Sequence, residues 1–397
     1  MKVNKFKIYT LGCKVNFYDS ADFEAALLES GFEKAKDNAD LAIINTCSVT
    51  KSAIKKDRKM IARARKENPK AKIFFTGCFV RVYPKESEKI EGVKIFKDFQ
   101  AIFDYLKIKP QKKARLAKEN RARYFIKIQD GCNQFCSYCV IPYARGPLTS
   151  RSQSEVLAEI KLAIESGFEE IVLSGIHLGL YNNRGDLASL IKKIIKIKDL
   201  GRIRLSSIEI TEVNDELIRL IGESKKICNH LHIPLQAGSD KILKLMNRPY
   251  DTAYFEKQIK KIRKSIPDIA ITTDVIVGFP GETKENFEET FEFIKKIKFS
   301  RLHVFSFSAH EKTPAFNLPD RVRQNTIVDR AGALRRLSLA LEKEFNGKVE
   351  GKKREILIIR KVGENFCGKD EHYIDFCFKA SLKRSKIGKI VKIGNKK

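Results

Sequence analysis

Tryptophan is absent from the 397 residues, methionine occurs three times, and no apolar run approaches the length of a membrane-spanning helix. The amino terminus, MKVNKFKIYTLGCKVN, lacks the long apolar core and small-residue cleavage site of a secretory leader. A cytoplasmic address with no membrane association is therefore expected. In that reducing compartment nine cysteines do not make a disulfide framework, so metal-binding or catalytic thiolates become the first alternative. Repeats and low-complexity segments are also missing. Acidic side chains are the minority, 49 against 78 basic ones, which leaves a net charge of +29. Such an excess points to a polyanionic partner, because each Lys or Arg placed on a phosphate releases condensed counterions. The alternative is a lysine- and isoleucine-rich compositional bias spread over all surfaces.

What is present is a foldable composition, 43% hydrophobic and 32% charged, in a chain long enough for two or three domains. The opening segment alternates strands and helices: KIYTL, LAIINT and KIFFTG read as strands, and 19–30 has helical apolar spacing. Residues 1–106 form a first module. From 107 to 123 the pattern fails in a Pro-containing run of positive charge, a basic linker. A second series of strands follows, in YFIKIQD, EEIVLSG, RIRLSSIE, HLHIPLQ, IAITTDVIVGFPG and RLHVFSF, alternating with amphipathic helices. Six such units predict a parallel α/β sheet curved into a partial barrel over 124–346, with a trailing helix at 322–346. Residues 347–397 change to short β-like runs, consistent with a small all-β barrel of a kind used to hold RNA.

Cys132, Cys136 and Cys139 stand at C-x3-C-x2-C spacing directly after a predicted strand. Three thiolates on one loop can hold three corners of a cubane cluster and leave the fourth iron open. An open iron can bind the amino and carboxylate groups of S-adenosyl-L-methionine (SAM), whose reductive cleavage releases a 5′-deoxyadenosyl radical. A zinc knuckle or ferredoxin loop would call for a fourth Cys or His, and the loop has neither. Cys13, Cys47 and Cys78 each follow a predicted strand, so in a parallel sheet they share one edge and can hold a second three-thiolate cluster. Three unrelated packed cysteines are the alternative there. For Cys228, Cys367 and Cys377, ordinary packing is the expectation. His230 and His232 alternate along HLHIP and either line a cavity or serve structure.

These residues closely resemble those of the radical SAM methylthiotransferases, over nearly the whole chain. The words LGCKVN, INTCSVT and TGC carry the first three cysteines, KIQDGCNQFCSYCVIPYARG carries the triplet, and the carboxyl-terminal segment resembles the family's RNA-binding TRAM barrel. LGCKVN, NTCSVT, KIQDGC and LSGIHLG look most like the bacterial group acting on threonylcarbamoyladenosine at tRNA position 37. The resemblance implies two 4Fe-4S clusters and SAM. Catalytic Cys132, Cys136 and Cys139 would cleave SAM for hydrogen abstraction from C2 of the adenine, and Cys13, Cys47 and Cys78 would carry the sulfur delivered there. It also implies binding of the tRNA anticodon stem-loop, an electron-donor protein and a monomeric enzyme.

Cofactor contacts follow from the same resemblance: Tyr138 to the SAM adenine, and Ser174 and Gly175 to its methionine amino group. Glu209 can accept from ribose hydroxyls or stand as an exposed turn residue. Gly278 and Gly281 would let the backbone approach the cofactor, with Thr283 capping the next helix. Arg145, Arg151, the linker, the helix around 55–66 and the last barrel are candidates for tRNA contact. One departure bears on the substrate: FSFSAHEKT replaces the family's usual F-P-Y-S-x-R-x-G-T, with His310 and Lys312 at the Arg and Gly positions. The alternatives are a methylthiotransferase acting on isopentenyladenosine or on a ribosomal protein and, from another class, a non-catalytic zinc-containing RNA-binding protein.

Overall fold

The structure, a computed structural model, describes residues 5–48, 51–109, 122–379 and 386–393. Most of the expected basic linker, 110–121, lies outside the described residues. The first sheet consists of β1 (Lys5–Thr10), β2 (Glu33–Lys34), β3 (Leu41–Thr46), β4 (Lys72–Gly77) and β5 (Lys94–Ile95). All are parallel, in the order β2-β1-β3-β4-β5. Central β3 is buried at every position, which is why it reads as an unbroken apolar run.

Five helices accompany these strands: α1 (Lys14–Glu29), α2 (Lys51–Glu67), α3 (Cys78–Val82), α4 (Pro84–Glu88) and α5 (Phe99–Leu106). Phe6, Leu41, Ile43 and Phe74 meet Phe23, Leu27, Ile102 and Phe103 on one face, while Ala42, Ile44 and Phe75 meet Ile61 and Ala64 on the other. The register aligns Thr10 with Asn45 and Asn45 with Thr76, so the loops after β1, β3 and β4 leave from one edge.

The second body has six parallel strands: β6 (Tyr124–Lys127), β9 (Glu170–Ser174), β10 (Arg202–Leu205), β11 (His230–His232), β12 (Ala270–Val277) and β13 (Arg301–Ser306), with a short antiparallel pair, β7 (Gln129–Asp130) and β8 (Thr149–Ser150), after the first. Two three-stranded sheets, β10-β9-β6 and β11-β12-β13, are joined by parallel bridges from Ile203 to Ile227 and Ser207 to His232. Together they form the expected open six-stranded wall.

Its helices are α6 (Ile141–Arg145), α7 (Gln153–Glu165), α8 (Leu187–Ile194), α9 (Asp215–Glu223), α10 (Asp240–Leu245), α11 (Thr252–Ser265), α12 (Lys284–Ile297) and α13 (Gln324–Lys348). Ser152, Asp186, Asn214, Asp251 and Thr283 each accept a first-turn N–H, so five of these helices start where a polar cap stands in the sequence. Ile171, Leu173, Ile203, Leu205, Leu231, Ile271 and Val275 pack outward onto the helices. The intervening residues, Glu170, Arg202, Arg204, His230 and Asp274 among them, face the concave side.

The last sheet, β14 (Arg354–Val362), β15 (Asn365–Lys369), β16 (Asp375–Lys379) and β17 (Ile390–Ile393), is an antiparallel half-barrel in the order β16-β15-β14-β17. Ile356, Ile358, Phe366 and Val391 form its core. Here the sequence expectation needs correction. Cys367 and Cys377 stand directly opposite on β15 and β16 and are joined by a disulfide. Ordinary packing was expected because the cross-strand register that brings them together is a long-range property. Cys228 is free and buried, as expected.

Candidate functional site

The loop carrying Cys132, Cys136 and Cys139 leaves the carboxyl end of β7 and returns through β8. Backbone bonds hold it on three sides: Cys132 N–H to Gly146 O at 3.1 Å, Ser137 N–H to Met246 O at 3.0 Å, and Ala315 N–H to Ser137 O at 2.8 Å. Gln129 braces it from beneath, donating to Gly131 O at 2.7 Å while its Oε1 accepts the His177 N–H at 2.7 Å. Burial pushes the Cys139 thiol up to about 12, and burial also raises Cys136 despite the guanidinium of Arg248 beside it. Thiols so enclosed stay protonated until a metal displaces the proton.

The second triplet lies where the register predicts. Cys13 precedes α1, Cys47 follows β3 and Cys78 opens α3. Gly12 abuts Cys47 so closely that a β-carbon there would sit 3.2 Å from the Cys47 sulfur. Asn16 ties the three loops together: its Nδ2 donates to Leu11 O at 2.7 Å and Thr46 O at 2.8 Å, and its Oδ1 lies 3.7 Å from the Cys78 sulfur. Behind Cys47, Asp57 accepts the Cys47 N–H at 3.3 Å, and burial raises its carboxyl to about 8. The Cys78 thiol is also raised by burial, against the pull of Arg145.

The chain segments that follow Cys78 and Cys139 meet in a shared seam. Cys78, Val82 and Tyr83 pack with Val140 and Ala144, which follow Cys139. Beside them Arg145 pairs with Asp19 at 2.8 Å and Asp130 at 3.1 Å and donates to Asn16. Tyr83 Oη and His310 Nδ1 are 2.8 Å apart, so the departure at FSFSAHEKT contributes a seam contact.

The cysteine triplets are not gathered as a single-ion site would be. Among the described residues, Cys, His and acidic ligand atoms gather within 4.8 Å only at His232–Asp274–His303 and at Asp370–Glu371–His372. Sulfurs sharing one tetrahedral zinc at 2.3 Å would stand about 3.8 Å apart, and neither cysteine triplet is gathered that closely.

The other expected contacts divide. Tyr138 lines a cavity of about 180 Å³ with Cys139, Gln236, Asp274, Ile276 and Phe305. Ser174 ends β9 with its hydroxyl buried and unpartnered, aligned with Lys127 on β6. Gly175 stands against Gln129, whose side chain fills the space a β-carbon would need. Glu209 is ion-paired with Arg248, whose Nη1 lies 3.2 Å from the Cys136 sulfur and 3.5 Å from the Tyr138 hydroxyl.

Three of the candidate residues are engaged within the protein. Gly278 takes φ +76°, a β-carbon there would run into Ile327 of α13, and its N–H is donated to Glu282 at 2.7 Å, so packing at this turn already calls for glycine. Arg145 is buried in the seam and unavailable to RNA. Arg151 is likewise engaged, with Glu159 at 2.8 Å and the Tyr18 hydroxyl at 2.8 Å.

Sequence reasoning missed His177, Arg248, Asn16 and Asp57. His177 Nδ1 lies 3.3 Å from the Cys132 sulfur, and its other nitrogen pairs with Glu212. A signal existed for two of them: Asn16 and His177 sit inside the words LGCKVN and LSGIHLG.

A family profile described as the radical SAM superfamily matches residues 126–294, and one described as the uncharacterized protein family UPF0004 matches 5–97. The chain is 39% identical to the threonylcarbamoyladenosine tRNA methylthiotransferase MtaB of Bacillus subtilis, covering 97% of this chain and 92% of that protein. Identity to MtaB of Aquifex aeolicus is 36%, over 98% and 99%. With the tRNA-2-methylthio-N(6)-dimethylallyladenosine synthase of Carboxydothermus hydrogenoformans it is 32%, over 90% and 88%. Among solved structures, the radical SAM methyltransferase TsrM of Kitasatospora setae shares the fold at a TM-score of 0.61 and 15% identity, over 80% of this chain and 77% of that one.

Proposed function

The chain belongs to the radical SAM methylthiotransferase family and acts on tRNA, and from that premise we propose that it places a methylthio group on C2 of N6-threonylcarbamoyladenosine at position 37 of the anticodon stem-loop. The observation that carries this reading is the pairing of two cysteine triplets across one seam, joined by Cys78, Val82, Val140 and Ala144. A lone triplet would fit many radical reactions. Two triplets joined by one packed seam fit a reaction in which a radical generator and a sulfur donor address the same carbon.

Bound SAM and the two clusters supply hydrogen abstraction and the sulfur, chemistry that acid–base groups cannot perform at an aromatic C–H. The chain supplies the positions. In this reading Cys132, Cys136 and Cys139 hold the SAM-cleaving cluster, and Cys13, Cys47 and Cys78 hold the sulfur-donor cluster. Gln129 and His177 fix the first loop. Arg248 lies against the Cys136 sulfur and orients Glu209, leaving that carboxylate's second oxygen for the cofactor ribose. Tyr138 borders the cavity, and Ser174 offers a buried hydroxyl to the methionine end. The seam aligns the two cluster-binding edges and keeps bulk water out.

The half-barrel presents exposed Arg360, Lys361, Lys379 and Lys392 for the RNA backbone. The same proposal includes a cytoplasmic monomer that takes electrons from a partner protein. No helix among the described residues is long and apolar enough to cross a membrane.

The test is nucleoside mass spectrometry on anticodon stem-loops carrying threonylcarbamoyladenosine or isopentenyladenosine after anaerobic turnover. Methylthiolation of the first alone is expected. Turnover of the second alone, or of neither, overturns the substrate assignment.

A further inference from the structure

The strand register that builds the concave wall gathers a third group of ligand-bearing side chains, one that contains no cysteine. His232 on β11 aligns with Thr272 on β12, and Asp274, two residues further along β12, aligns with His303 on β13. Alternation along a strand puts Thr272 and Asp274 on the same face, so the two histidines converge on Asp274 from the strands on either side. His232 Nε2 and His303 Nδ1 each lie 3.2 Å from the same oxygen, Asp274 Oδ1. The two imidazole rings stack 5.2 Å apart at 27°.

Both nitrogen–oxygen distances exceed the about 2.7–2.9 Å of a charge-assisted N–H···O bond. They match instead the edge of a coordination polyhedron, because ligand atoms about 2.1 Å from one ion stand about 3.0–3.4 Å apart at octahedral to tetrahedral angles. Thr272 supplies the outer support such a site needs. Its hydroxyl lies 2.9 Å from His232 Nδ1 and 3.0 Å from His230 Nε2. With its one proton given to His230, it accepts the Nδ1–H of His232, which turns the Nε2 lone pair toward the carboxylate. A lone pair facing an anion is unfavourable without a cation between them, and a metal-bound imidazole hands its other N–H to an oxygen in this manner.

The surroundings leave the carboxylate to the two imidazoles. Among the described residues its ion-pair partners are His232 and His303. The group Asp370–Glu371–His372 differs, since Asp370 is spent on Arg354 at 2.9 Å and on the N–H groups of His372 at 3.0 Å and Ile374 at 2.8 Å. Access differs too. The His303 side chain is 44% exposed, and Asp274 lines the cavity of about 180 Å³ bordered by Tyr138 and Cys139. Three protein ligands leave at least one coordination position, and that cavity is where it can open.

We propose that His232, Asp274 and His303 form a mononuclear site for a divalent transition-metal ion, separate from both cysteine triplets. Two imidazoles and a carboxylate favour zinc or ferrous iron over magnesium or calcium, which prefer all-oxygen sets. The open position takes an oxygen or nitrogen donor of the molecule that enters the cavity. The site rests on strand register and donor geometry and is independent of the substrate assignment, so failure of either leaves the other standing.

The test uses the full-length protein with its clusters reconstituted anaerobically and loosely bound metal removed. Zinc is titrated by calorimetry into wild type, Thr272→Val and His303→Ala, and zinc K-edge X-ray absorption reads the ligand shell. Wild type should take up one zinc per chain, with nitrogen and oxygen at about 2.0–2.2 Å and no sulfur at about 2.3 Å. Loss of an outer-shell partner costs about 10- to 100-fold in metal affinity, so Thr272→Val should weaken binding by that factor and His303→Ala, which removes a ligand, by more. Because His303 is exposed, its removal leaves the core packed, and iron content and circular dichroism of that variant should match wild type. No zinc uptake at micromolar concentrations, a shell dominated by sulfur, or binding unchanged in His303→Ala would each overturn the proposal.

Discussion

Arg145→Leu is the perturbation that most directly probes how the two cluster-binding bodies are held together. The guanidinium is 5% exposed and bridges Asp19 of α1 and Asp130 of β7, whose side chains are 17% and 25% exposed. Its removal leaves Lys127 as the remaining cation between the two carboxylates. Removing one partner of a buried pair costs about 3–5 kcal/mol, and because both acids keep some water and Lys127, the lower end, about 3 kcal/mol, applies. At about 2–4 °C per kcal/mol the first unfolding transition should fall by about 6–12 °C.

The pH dependence follows from Asp130. Burial alone would raise its carboxyl, but Lys127 and Arg145 outweigh burial and hold it below its ordinary 3.8. A carboxylate depressed in the folded state adds stability above its unfolded pKa and loses it as pH falls through the folded value. The gap between wild type and variant should therefore be full near about pH 7 and shrink below about pH 4. Calorimetry of the cluster-free protein across that range is the assay. Equal transitions near neutrality, or a gap that widens in acid, would refute the reasoning.

Cys132→Ala should abolish reductive SAM cleavage, whereas Cys47→Ala should keep cleavage and lose methylthio transfer; quantification of 5′-deoxyadenosine and of the modified nucleoside separates the two. Asn16→Leu removes the donor shared by Leu11 O and Thr46 O, and leaving those acceptors unpaired costs about 1–3 kcal/mol each, to be read as lowered stability together with reduced iron at the first triplet. Gly278→Ala forces a side chain at positive φ into Ile327, destabilising by about 3 kcal/mol in denaturant titration without changing SAM affinity. Unchanged stability would show that packing against Ile327 does not require glycine there.

The cysteines were legible because strand ends are local. LAIINT and KIFFTG announce buried strands by composition, and parallel pairing then brings Cys13, Cys47 and Cys78 to one edge without further information. The helix start at Thr283 was legible for the same reason, since a cap acts within three residues. What escaped were contacts set by tertiary approach. Charge in a sequence does not say whether it ends in water or in a seam, so Arg145 and Arg151 read as RNA ligands. His177 and Arg248 reach the cluster loop from strand ends and turns 45 and 112 residues from their cysteine partners. Gly278 answers to a helix that begins 46 residues later at Gln324. The Cys367–Cys377 pairing depends on register, which alternation alone leaves free by one residue.

The central claim is that each cysteine triplet holds its own cluster, and iron and acid-labile sulfide quantification on anaerobically purified protein tests it most directly. Wild type should carry roughly eight irons, and the variant with Cys13, Cys47 and Cys78 all changed to Ala roughly four, with SAM cleavage retained. Stoichiometric zinc in place of iron, or an iron content unchanged by the triple substitution, would contradict the account.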